Sequence, residues 1–321
     1  MNHLWSSLCV GIISCFTLVI VCRRKNPLRC WKDFTKKTQV CKLACPKGSF
    51  SLVGMLSCHR HLTCAEIATI RQVRVITAGV VKKVYEAEWQ GFAVALSTLT
   101  HPSLESDFRH NIEMHRELGH PNFTVDFLGS CGNTIVTELM ELGSAQNLLA
   151  LWAGPLQEHD TVAQRLALCA DYVSILAHLH AHQRVMCDSN WLLKTLSQYL
   201  LRSDLSLRVN DLDALPSTRS AKAQCGEQPV QGDLLAPEQK SGHGCDTHCD
   251  IWKVPDVCYW FLGHGPESEG LKFRLFRVHR LCKAREPGQR PTAHALLCHY
   301  ASILREMGTQ HIKLHDPDKC I

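Results

Sequence analysis

Three acids and two lysines stand out by type and spacing. Asp188 closes the run RVMCD, and Asp211 and Asp213 lie together in SLRVNDLDAL, two short strand-like stretches. Oxygen ligands are what a hard divalent cation prefers, so carboxylates that meet in space could hold one. Taken singly, each is better read as an acid that caps a turn. Lys82 and Lys83 are neighbours in VVKKVYEAEW; strand alternation sends them to opposite faces, so Lys83 is expected in solvent when Lys82 faces a site. Cys and His mix in CHRHLTC and HGCDTHC, but neither repeats a paired C-x-x-C spacing, and zinc is the weaker reading. Eighteen cysteines, with Cys30, Cys41, Cys45, Cys58 and Cys64 crowded early, fit the disulfides of an oxidising compartment. Spacing does not give their pairing.

The elements that must position these residues follow a clear order. Residues 4–22 form nineteen positions without a charge, followed at once by Arg23, Arg24 and Lys25. That length just spans a bilayer core, and the absence of a basic n-region and a small-x-small cleavage site argues against a removed signal peptide, so a transmembrane anchor is expected. Its orientation is contested: the Arg-Arg-Lys flank favours a cytoplasmic C-terminus, whereas the cysteines and the Asn122-Phe-Thr sequon favour the lumen. A basic, cysteine-rich stem over 23–65 has Pro, Gly and Ser breaks and no long periodic run. IRQVRVI, VVKKVYEAEW and FAVALSTL then alternate as strands. LESDFRHNIEMHRELG carries Phe108, Ile112, Met114 and Leu118 at helical spacing and stops at Gly119-His120-Pro121. FTVDFLGSC and TIVTELM are two further strands. After Gly143 the pattern turns helical, with VAQRLALCADYVSILAHLHAH as a buried amphipathic helix. Strands first and helices later predict an α+β protein of two lobes with a cleft between them.

The 321 residues suffice for such a pair of lobes, and 45% hydrophobic with 20% charged residues describe an ordinary globular chain. A net charge of +5 without a dense Lys/Arg stripe makes nucleic acid a poor partner.

Across residues 66–307 this order resembles a protein kinase catalytic domain, a bilobal fold with a β-rich N-lobe (66–140) and a helical C-lobe (141–307), followed by a tail over 308–321. FRHNIEMHRELGHPNF resembles the helix and H-P-N turn of the kinase N-lobe. IVTELMELGS resembles the adenine-contacting hinge, with Thr137 before it and Glu138 and Met140 at the nucleotide. Met186-Cys187-Asp188 stands in place of H-R-D, Ala236-Pro237-Glu238 matches A-P-E, and Asp250 and Arg290 match two further motifs. The resemblance implies that Asp188 is the base, that Glu238 and Arg290 form a buried structural ion pair, and that ATP with Mg²⁺ (or Mn²⁺) is bound. Kinases carry a metal-binding Asn five residues after the base, where this chain has Leu193. A five-residue insertion in DSNWLLKTLSQYLL places Gln198 there, and Asp211 then falls thirteen residues later, the interval of the family's metal-binding Asp; Asp213 assists. The V-A-I-K lysine is replaced by Ser97, and its αC glutamate partner by Asn111, with Glu113 about 200° around the helix. Lys82 lies where kinases have the last glycine of the Gly-rich loop, the place from which the with-no-lysine kinases supply theirs. Thr77-Ala78-Gly79 keeps one loop glycine, Gly79.

CPKGSF, DYVSI, RVMCDSN, KTLSQYLL, NDLDALP, APEQ and DIWKVPD, with the stem cysteines, narrow the resemblance to the secretory-pathway glycan kinases of the protein-kinase-like family, over roughly 45–305. That resemblance implies a single-pass type II protein of the endoplasmic reticulum membrane with its kinase domain in the lumen. It also implies an acceptor: the 6-hydroxyl of O-linked mannose in the GalNAc–GlcNAc–Man trisaccharide of α-dystroglycan. The alternative is a pseudokinase that uses the same lobes to bind a glycan or a protein.

Overall fold

In the computed structural model, residues 27–226 and 230–308 are described with their side chains, and residues 8–14 and 17–23 by their backbone alone. Over the segment expected to be a membrane helix, Leu8–Ser14 and Thr17–Arg23 run as paired antiparallel strands. Among the described residues no helix is long and apolar enough to cross a membrane.

Strands β1 (Leu28–Asp33) and β2 (Thr38–Leu43) form a hairpin closed by Cys30–Cys41. It reaches across the hinge between the lobes. Its buried Lys42 pairs with Asp126 (2.9 Å) and Glu138 (2.5 Å). The Trp31 indole N–H donates to Ser203 Oγ at 3.0 Å, on the C-lobe side. Cys45–Cys58 and Cys64–Cys131 complete the early disulfides, the second stitching the segment before the N-lobe onto its sheet.

The N-lobe sheet contains β3 (Arg71–Ala78), β4 (Lys82–Trp89), β5 (Phe92–Leu99), β6 (Phe127–Cys131) and β7 (Thr134–Glu138), in spatial order β6-β7-β5-β4-β3 and antiparallel throughout. One face is dry. Trp89, Val94, Leu96, Leu128 and Val136 pack there with Phe50, Leu52 and Leu62. Leu62 comes so close to β6 that a Cβ at Gly129 would lie within 2.9 Å of three Leu62 atoms, which explains the glycine in an apolar strand. Helix α1 (Glu105–Leu118) crosses between β5 and β6, burying Phe108 and Ile112 with Phe127 and Ile135.

In the C-lobe, α2 (Val162–Ala181) is buried along much of its length, so it forms the spine of the main core. The short α3 (Leu192–Ser197) precedes a two-stranded ribbon, β8 (Tyr199–Leu201) with β9 (Leu207–Val209). Three helices, α4 (Thr247–Leu262), α5 (Pro266–Cys282) and α6 (Ala293–Glu306), complete the lobe. Element order and type therefore match the two-lobe expectation.

Candidate active site

Lys82 opens β4 after a three-residue turn, and the Gly79 N–H donates to the Lys82 carbonyl at 2.9 Å. Its ammonium reaches across the cleft to Asp211, Nζ to Oδ1 at 2.7 Å. Burial opposes the Asp211 carboxylate, but Lys82 prevails and holds its pKa below the ordinary value. Ser97 is buried opposite Val84 in the sheet. Lys83 packs over the Tyr85 ring instead, 5.2 Å from its centroid.

The helix that carries Asn111 is fastened to the Asp211 loop by neutral groups. Asn111 Oδ1 accepts the Leu212 N–H at 3.0 Å, and His115 Nε2 lies 3.1 Å from the Asn210 carbonyl. Burial, and then the nearby Lys82 charge, push the His115 pKa down to about 3, so the ring is neutral and its Nε2–H donates. Glu113 points to solvent. Two uncharged hydrogen bonds thus replace the lysine–glutamate pair that joins helix to cleft in ordinary kinases.

Asp188, Asp211 and Asp213 converge, with one carboxylate oxygen from each within 4.8 Å of the others. Burial, and then Asp211 beside it, raise the Asp213 pKa to about 7. The expected five-residue insertion falls where the chain forms α3, and just past the end of that helix Gln198 returns to the acids, Nε2 lying 3.4 Å from Asp188 Oδ2. Gln198 is fully buried and its Oε1 has no hydrogen-bond partner, an unusual condition for a buried oxygen. Three convergent carboxylates fit an oxygen-ligated divalent cation, while the Gln198 amide turns its nitrogen, not its oxygen, toward Asp188.

One contact is not in the sequence reading. Lys194 on α3 pairs with Asp188, Nζ to Oδ2 at 2.7 Å, and that bond raises the Lys194 pKa against the lowering effect of burial. It stands four residues before Gln198, and the i, i+4 relation could have found it once Gln198 had been placed.

At the hinge, the Glu138 carboxylate is held by the buried Lys42 and the Glu138 N–H donates to the Asp126 carbonyl at 2.9 Å, so neither is left for a nucleotide. The Met140 carbonyl accepts the Gly143 N–H at 3.0 Å. A cavity of about 240 Å³ behind the hinge is lined by Trp31, Lys36, Phe92, Glu138, Met140 and Arg202; it holds none of the three acids.

The catalytic loop is braced from below and from the side. Asp250 Oδ2 accepts the Met186 N–H at 3.1 Å and lies 3.2 Å from His180 Nε2. Cys187 is bonded to Cys225, which ties the residue before Asp188 to the segment leading to Ala236-Pro237-Glu238. Glu238 and Arg290 form the expected buried pair, a two-point contact at 2.6 and 2.8 Å.

Lobes, hinge and convergent acids define a protein kinase, a phosphotransferase with an alcohol group as acceptor. Residues 70–292 match the family described as protein tyrosine and serine/threonine kinase. The chain is 40% identical over 282 residues to the protein O-mannose kinase of Homo sapiens, and 40% identical over the same length to that of Gallus gallus. Each match covers 81% of this chain and 80% of the relative. A probable serine/threonine-protein kinase of Dictyostelium discoideum is 24% identical over 252 residues, 70% of this chain and 24% of that protein. The chain belongs to the protein O-mannose kinase family.

Proposed function

We propose that this protein transfers the γ-phosphoryl group of ATP to the 6-hydroxyl of O-linked mannose in the GalNAc–GlcNAc–Man trisaccharide of α-dystroglycan. Phosphoryl transfer asks mainly for positioning and charge neutralisation, and each requirement has a residue. Asp188 orients the attacking hydroxyl and takes its proton. Lys194, already paired with Asp188, neutralises charge on the same side. Lys82 supplies the cation that Ser97 cannot, against the nucleotide phosphates beneath the Gly79 turn. The hinge backbone at Glu138 and Met140 receives the adenine. Asp211 and Asp213 would hold Mg²⁺ or Mn²⁺, which when bound screens the phosphate charge.

The Lys82–Asp211 contact carries this reading. It puts an ammonium beside the metal-binding acid from a strand where ordinary kinases have none, and so answers the objection that Ser97 marks a dead enzyme. The test is direct. The purified full chain, with labelled ATP, Mg²⁺ and the trisaccharide, transfers label, while Asp188→Asn and Lys82→Ala lose most of that transfer. Trisaccharide binding without transfer by the parent would instead make the chain a glycan-binding pseudokinase.

A lumenal kinase domain behind an endoplasmic reticulum anchor belongs to the same proposal. It is supported by the uncharged run at 4–22, the Asn122-Phe-Thr sequon and the paired early cysteines. In cells, endoglycosidase treatment shifts the parent and leaves Asn122→Gln unchanged; an unmodified parent accessible to protease from the cytoplasm would overturn the placement.

A further inference from the structure

Lys253 is a charge where the fold has no evident use for one. It sits with its side chain fully buried on α4, a helix whose Val254, Val257 and Cys258 belong to the main core. An ammonium in such a place is costly unless every proton finds an acceptor. Here all three do. Nζ donates to the Met186 carbonyl at 3.0 Å, to Ser189 Oγ through a short contact, and to Asp250 Oδ1 at 3.4 Å. Two of these acceptors flank Cys187 and Asp188 in the chain.

The remaining bonds of that stretch close a ring around the same four residues. Ser189 Oγ–H donates to the Met186 carbonyl at 2.5 Å, and the Ser189 N–H donates to the Cys187 carbonyl at 2.8 Å. Asp250 takes the Met186 N–H from the other side. The backbone from 186 to 189 is therefore folded tightly over one buried ammonium, and the Asp188 side chain is the part of the turn that projects toward the cleft acids. Asp250 alone could fix only the start of this turn. Among the described residues, Lys253 is the side chain from outside the turn that binds both its start and its end.

We infer that Lys253 is a positioning residue for phosphoryl transfer: it clamps the Met186–Ser189 turn and thereby fixes where the Asp188 carboxylate meets the acceptor hydroxyl. This rests on the reading of Asp188 as the base. A displacement of the order of 1 Å at a reacting group costs about a hundredfold in rate. Removing the clamp should therefore lower kcat and leave the KM for ATP unchanged, because neither Lys82 nor the hinge depends on it.

The full chain is assayed as parent, Lys253→Met, Ser189→Ala and Asp188→Asn, with Lys253→Met/Asp188→Asn as the double variant. The expected result is a kcat loss of about a hundredfold for Lys253→Met and about tenfold for Ser189→Ala, with ATP KM within twofold of the parent. In the Asp188→Asn background the Lys253 change should cost nothing further, since the carboxylate it positions is gone. A general packing defect would lower the residual rate again, and that additivity would overturn the inference, as would a kcat unchanged in both single variants. Where Lys253→Met does not fold, Ser189→Ala and Ser189→Ala/Asp188→Asn decide by the same two criteria. Should Asp188→Asn itself keep the parental rate, the reading of the base fails, which is a separate outcome from failure of the clamp.

Discussion

The molecule contains two lysine–aspartate pairs of the same composition and opposite character. Lys82 and Asp211 meet at the cleft with 11% and 20% of their side-chain surface exposed, while Lys253 and Asp250 are 0% and 1% exposed. The cleft pair has few other commitments: the Lys82 ammonium makes one described hydrogen bond, and Asp211 shares its charge with Lys194 and Asp213. The core pair is saturated, since Lys253 holds two backbone-linked acceptors and Asp250 holds Met186 and His180. An ion pair left partly open can exchange partners when phosphates and a cation arrive. One with every valence used can only hold geometry. The same chemistry thus serves binding in one place and architecture in the other.

That contrast predicts different symptoms when each pair is broken. Lys253→Met leaves Asp250 as an uncompensated buried charge and should cost about 3–5 kcal/mol of stability, read as a lowered denaturation midpoint. Lys82→Ala should instead lower kcat/KM about a thousandfold, about 4 kcal/mol of transition-state stabilisation. Its midpoint should move far less, because Asp211 can take up a proton. Equal midpoint shifts in the two variants would erase the distinction. Next in size, Mg²⁺–ADP at a hundred times its dissociation constant should stabilise the parent by about 2.7 kcal/mol and fail to stabilise Asp211→Asn. Asp250→Asn, by contrast, should retain the ligand-induced shift.

The last prediction is a pH dependence beside the cleft pair. His115 has its pKa lowered to about 3 by burial and by Lys82, against an ordinary value near 6.5. Below pH 6.5 the unfolded chain binds a proton there that the folded chain refuses until about pH 3. His115 therefore stabilises the fold above pH 6.5, and this stability is lost as the pH falls, at about 1.4 kcal/mol per unit. Lys82→Ala removes the second cause and leaves the first, so it should shrink the loss between pH 6 and 4 without abolishing it. Urea midpoints at pH 7, 6, 5 and 4 read the difference.

How far the sequence reveals this depends on whether a residue acts through local pattern or through distant company. Phe108, Ile112 and Leu118 announce α1 by spacing, and β3 to β7 announce themselves by alternation and turns. Lys82 is legible because strand alternation separates it from Lys83, and Gln198 because the interval to Asp211 fixes its register. Lys253 gives no such signal: within DIWKVPDVCYWFLG it is one of three charges in a largely apolar helix, and only the fold shows that Met186 and Ser189 lie above it. Cys187–Cys225 is equally silent, since the two cysteines are 38 residues apart and eighteen cysteines leave too many pairings. Lys42 reads as one more basic stem residue, yet it is buried between two acids at the hinge.

Lys42 also bears on where the working enzyme begins. The matched kinase region starts at residue 70, but Asp126 and Glu138 inside it depend on an ammonium borrowed from residue 42. A chain trimmed to its two lobes would keep every residue of the cleft and lose the counter-charge behind its hinge. The counter-charge at the hinge is thus an inheritance from outside the catalytic module.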